Sequence, residues 1–183
     1  MIERPLVFIH GIYCSTLAIS DNTFWPSSKF SSSMVRDVLD KLRTNIPTAV
    51  AEHVPVVAKD LFPSAYDVFI NSMSSSWGYT QGSNFWTFPY DWRQSNEISG
   101  KMLTDFIKEK IQGTNWDGVD AVCHSMGGFV VRAAIMNHAP IKRTVYIASP
   151  HYGNPEAYFA LNLEIHTAMA SIAQDFINGL TQF

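Results

Sequence analysis

No stretch of this sequence approaches the ~18 consecutive apolar residues that a membrane-spanning helix requires, so none is expected. Met1-Ile2-Glu3-Arg4-Pro5 leads at once into an apolar strand, and no signal peptide is expected there. Cysteine is scarce: Cys14 and Cys123 are the only two. Two thiols do not make a disulfide scaffold. Cys14 falls in a loop and Cys123 beside a buried turn, so the pair is expected reduced, in a cytoplasmic or otherwise reducing setting. Charge is low and nearly balanced, with 16% charged residues and a net charge of −3. That balance gives no electrostatic case for binding nucleic acid or an anionic surface. His-Glu-x-x-His and Cys-x-x-Cys spacings are missing, and no Gly-rich stretch ends in Gly-Lys-Ser/Thr, so neither a metal nor a nucleotide cofactor is expected.

What is abundant is apolar and aromatic side chain, 46% and 13% of the residues. A chain of 183 residues with that composition suits a globular fold able to bury about 70% of its unfolded surface. The most informative stretch is Val119-Asp120-Ala121-Val122-Cys123-His124-Ser125-Met126-Gly127-Gly128-Phe129. Alternating apolar residues at 119, 121 and 123 predict a strand, the glycines a tight turn, and the amphipathic residues Phe129–Asn137 a helix. Ser125 stands at the apex, where a helix N-terminus favours developing negative charge. This is the context of a G-x-S-x-G nucleophile elbow, with Cys123 in place of the first glycine.

Leu6-Val7-Phe8-Ile9 reads as a buried parallel strand opening into His10-Gly11-Ile12-Tyr13. A strand followed by His-Gly suggests that the backbone N–H groups of Ile12 and Met126 form an oxyanion hole. The His10 side chain itself reads as a satisfied core histidine. Residues 15–32, rich in Ser, Thr and Asn, are expected to form a loop. Helices are expected over 33–46, from Pro63-Ser64 to Trp77, and around Met102–Ile111; strands over 54–58, 85–88 and 143–148. Asp91 and Arg93 read as an ion pair that orders its loop, in preference to a catalytic pair. Alternating strands and helices imply a doubly wound, mostly parallel sheet. The expected layout is an α/β core over 1–155 and a helical tail over 156–183, the start of a cap or lid.

Four stretches occur in an order that carries a resemblance: His10-Gly11, Tyr90-Asp91-Trp92-Arg93 after a proline, His124-Ser125-Met126-Gly127-Gly128, and Ser149-Pro150-His151-Tyr152-Gly153. Together they resemble the lecithin:cholesterol acyltransferase-like branch of the α/β-hydrolase superfamily over roughly residues 5–155. The sequence is also similar, less specifically, to small bacterial triacylglycerol lipases. The resemblance implies Ser125 as acyl-accepting nucleophile, Ile12 and Met126 as oxyanion donors, a lipid or other ester substrate, and contact with a membrane surface or lipid interface.

One feature departs from that pattern. The superfamily order is Ser, then acid, then His. After Ser125 come Glu156, Glu164 and Asp175, with His138, His151 and His166, and no histidine follows Asp175. The last strands of the α/β-hydrolase sheet, bearing acid and base, have no counterpart, so the expectation is a shortened chain. Two readings stay open: a serine acyltransferase or lipase-like esterase, and a catalytically incomplete module that binds a lipid or a protein partner.

Overall fold

The computed structural model describes residues 3–19, 22–25, 56–61 and 65–155. Contacts divide the chain into two compact units, Met1–Ser149 and Pro150–Phe183. Within the first lies a four-stranded parallel sheet built from β1 (Leu6–Ile9), β5 (Phe85–Phe88), β6 (Val119–His124) and β7 (Ile141–Ile147), in the order β5-β1-β6-β7. β1 is buried at all four positions because it has a strand on each side and helices over its faces. In β6 the residues predicted to alternate, Val119, Ala121 and Cys123, are the buried ones.

Successive strand residues face opposite sides of the sheet, and the helices divide accordingly. α1 (Asp67–Ser76) lays Phe69, Ile70 and Met73 against Leu6, Phe8 and Phe85 on one face. On the other face Phe106 of α2 (Asn96–Ile111) meets Phe88, with ring centroids 5.2 Å apart. α3 (Gly127–Met136) crosses α2 where Gly100 meets Ala133; a Cβ on Gly100 would stand 2.5 Å from the Ala133 Cβ, so only glycine admits this approach. The doubly wound parallel sheet expected from the sequence is therefore present.

A second, three-stranded antiparallel sheet is formed by β2 (Ser15–Ile19), β3 (Asn22–Trp25) and β4 (Val56–Leu61), in the order β3-β2-β4. Here the structure corrects the loop expected over 15–32: at least its first half is a hairpin. Ser and Thr sit comfortably on its strands because Leu17, Ala18, Phe24 and Trp25 supply the buried positions. β4 runs three residues beyond the expected end, through Lys59 and Asp60, which point to solvent. α1 starts at Asp67 rather than at Pro63-Ser64, and α2 starts at Asn96, where the Ser95 hydroxyl accepts from the Glu97 N–H at 3.2 Å. The helix expected over 33–46 and the tail over 156–183 lie outside the described residues.

The register brings functional loops together. Ile9 of β1 is level with Phe88 of β5 and Cys123 of β6, and His124 is level with Ile147 of β7. All four strands thus end at one edge, where open α/β sheets place their ligand sites.

Candidate active site

Ser125 lies between the last residue of β6 and the first turn of α3, with φ +51°. A side chain in the left-handed region costs roughly 1–2 kcal/mol, and surrounding bonds hold it there. The Ser125 N–H donates to the Ile147 carbonyl at 2.9 Å, and its own carbonyl accepts from the Gly128 N–H at 3.1 Å. Gly127 makes the turn sterically feasible: a Cβ there would stand 2.5 Å from the His10 carbonyl oxygen and 2.6 Å from that of Ile9. Gly128 likewise leaves room for Ser149.

The loop after β1 approaches the same serine. A Cβ on Gly11 would stand 3.0 Å from the Ser125 Cβ and 3.1 Å from His124 Nδ1. The structure therefore brings the 10–13 loop and Ser125 together, with Ile12 next to Gly11 and Met126 next to Ser125. Among the described residues, nothing accepts a hydrogen bond from the N–H of Ile12 or of Met126.

His10 organises this loop. It is fully buried, stacked on Tyr90 with centroids 4.3 Å apart. Its Nε2 accepts from the Tyr90 N–H at 3.3 Å, so the proton sits on Nδ1, which donates to the Gly11 carbonyl at 2.7 Å. A trans peptide holds C=O and N–H antiparallel in one plane, so this bond also turns the Ile12 N–H away from the imidazole. Burial drives the His10 pKa down to about 4, keeping the ring neutral at neutral pH. The Tyr90 hydroxyl donates to the His10 carbonyl at 3.0 Å, and the Ser15 hydroxyl to the Tyr90 carbonyl at 2.6 Å.

The Tyr-Asp-Trp-Arg tetrad is consumed in packing. Arg93 Nη2 lies 2.6 Å from Asp91 Oδ2, its Nε donates to Oδ1 at 2.8 Å, and both side chains are nearly buried. Trp92 stacks edgewise on Tyr13 and Trp25, and the Trp25 indole N–H donates to the Tyr13 carbonyl at 3.0 Å, holding Tyr13 at φ +68°. The ordering pair expected of Asp91 and Arg93 is what the geometry contains.

The two thiols and two histidines near the serine are each buried or hydrogen-bonded. Burial raises the Cys14 thiol and pushes Cys123 up to about 12, so neither is a thiolate at neutral pH; both are free and buried. His124 Nδ1 is hydrogen-bonded with the Tyr66 hydroxyl at 2.8 Å, and burial lowers its pKa. His10 therefore has both ring nitrogens engaged, and His124 has its Nδ1 engaged. His138 lies just past the far end of α3, roughly 15 Å along the helix from Ser125. His151 belongs to the second unit, and Glu156, Glu164, His166 and Asp175 lie outside the described residues. No cluster of metal-ligating side chains occurs among the described residues.

The residue that sequence reasoning missed is Tyr66. Its hydroxyl accepts from the Gly11 N–H at 3.0 Å as well as reaching His124. These contacts span 55 and 58 residues, and no local pattern announces them.

A parallel sheet of this order, with a serine at a strand–turn–helix on its carboxyl edge, defines an α/β-hydrolase fold. Two solved structures share it. The mature Bacillus licheniformis lipase BlEst2 matches at TM-score 0.54 and 17% identity, covering 92% of this chain and 49% of its own. A chain of the Tle4–Tli4 complex matches at TM-score 0.54 and 17% identity, covering 86% of this chain and 48% of its own. The chain thus spans about half the length of these solved proteins. The Arabidopsis thaliana protein lecithin-cholesterol acyltransferase-like 4 is 30% identical over 87 residues, covering 43% of this chain and 16% of that protein. The lecithin:cholesterol acyltransferase family model matches residues 58–174, more than half of the sequence. The chain belongs to the lecithin:cholesterol acyltransferase family.

Proposed function

We propose that this chain carries the nucleophile side of a serine acyl-transfer site acting on carboxylic esters of lipids, at a lipid interface. Ser125 Oγ attacks the ester carbonyl carbon and gives its proton to a base outside the described residues. The tetrahedral oxyanion accepts from the N–H groups of Ile12 and Met126, the ester C–O bond breaks, and the alcohol leaves with the proton. Water or an alcohol then takes the acyl group and restores the serine. The supporting observation is the convergence of a strained Ser125 at φ +51° with Gly11, flanked by two N–H groups with no acceptor among the described residues. Family membership supports acyl transfer as the chemistry and lipids as the substrate class.

A fluorophosphonate probe tests this reading. Wild type is expected to gain one adduct that Ser125→Ala lacks. A folded wild-type sample that gains none contradicts it and leaves the second reading, a module of this fold that binds a lipid or protein partner without turning it over.

A further inference from the structure

Tyr66 opens α1, yet its phenol is not simply part of the packing under that helix. The ring meets Phe8 edgewise with centroids 4.7 Å apart, a contact that phenylalanine would keep. The hydroxyl does something else: it joins two strands' loops, accepting from the Gly11 N–H at 3.0 Å and hydrogen-bonding with His124 Nδ1 at 2.8 Å. His124 is the residue before Ser125, and its ring packs against Gly11. With the Gly11 carbonyl held by His10 and its N–H held by Tyr66, both polar groups of this glycine are fixed. The next N–H along, that of Ile12, is then fixed in direction while remaining open to a ligand.

We infer that Tyr66 is a positioning residue for the oxyanion donor of Ile12, acting through Gly11 and His124; this rests on the reading of Ser125 as nucleophile. Burial raises the Tyr66 phenol above its ordinary value, so the hydroxyl stays protonated and uncharged across the working pH range. Removing the hydroxyl leaves the Gly11 N–H and His124 Nδ1 without partners and relaxes the close approach to Ser125. A shift of an ångström in such a donor is felt in the rate rather than in ground-state affinity.

The test is fluorophosphonate labelling of the 183-residue chain and of Tyr66→Phe, with the maximal rate of adduct formation and the half-saturating probe concentration measured separately. The expected result is about a tenfold lower maximal rate at unchanged half-saturation, short of the ~10²–10³ for deleting a donor outright. A merely structural hydroxyl would lower the melting temperature and leave the rate per folded molecule unchanged, which overturns the inference while Ser125 stands. No adduct on wild type overturns the nucleophile reading itself and the inference with it. Amide exchange at Gly11 in wild type, read with nitrogen-15-labelled glycine, decides the matter if Tyr66→Phe does not fold. A protected Gly11 N–H supports the anchor, and exchange at the rate of an open loop refutes it.

Discussion

Gly11 and Ser125 face each other across a gap that a methyl group would enter only by displacing its neighbours: a Cβ on Gly11 would stand 3.0 Å from the Ser125 Cβ. The obstructing atoms belong to side chains, which can give by a few tenths of an ångström. Gly11→Ala is therefore expected to fold, with a modest loss of ~1 kcal/mol, and to label about tenfold more slowly. Gly127 differs, because its neighbours at 2.5 and 2.6 Å are backbone carbonyls of the central strand region. Gly127→Ala is expected to cost on the order of 3 kcal/mol in urea denaturation. Equal stability for the two variants would contradict this division.

The strain at Ser125 makes a separate prediction. Ser125→Ala and Ser125→Gly both lose the hydroxyl, but only glycine is at ease at φ +51°. Ser125→Gly is expected to be more stable than Ser125→Ala by about 1 kcal/mol in the denaturation midpoint, with neither labelled. The reverse order would mean that the turn is not strained.

His10 links stability to pH. Its folded-state pKa of about 4 lies below the ordinary histidine value of 6.5, so the unfolded chain takes up the proton first as pH falls. The stabilisation is whole above pH 6.5, is lost as pH falls from there toward 4, and the loss then levels off. Its size is about 3 kcal/mol. Urea titrations of wild type minus those of His10→Asn should isolate that slope; identical slopes would show that His10 is not held neutral by the fold.

Asp91 and Arg93 are assigned to structure, not chemistry. Their side chains are 10% and 6% exposed, so Asp91→Ala removes a carboxylate from beside a nearly buried guanidinium. A loss of about 3 kcal/mol is expected, with the labelling rate per folded molecule within about twofold of wild type. A rate collapse in a stable variant would move Asp91 into the reaction.

Periodicity made the central sheet legible. Leu6–Ile9 and Phe85–Phe88 are continuous apolar runs, and 119, 121 and 123 alternate, so β1, β5 and β6 lie where the sequence puts them. The strand–turn–helix around Ser125 was legible for the same reason, through two glycines with a steric task. The hairpin of β2 and β3 was not, because its Ser, Thr and Asn residues imitate a loop while Leu17, Phe24 and Trp25 do the burying. The start of α1 was not legible: it begins at Asp67, and no side-chain cap at Tyr66 marks the place. Tyr66 escaped because its role depends on partners far along the chain, which only the folded register brings within reach.

The most direct measurement is a crystal structure of the phosphonylated chain. The phosphonyl oxygen is expected at roughly 2.7–3.1 Å from both the Ile12 and Met126 nitrogens, on phosphorus bonded to Ser125 Oγ. An adduct on another residue, or on Ser125 with that oxygen turned to solvent and neither N–H engaged, would contradict the account.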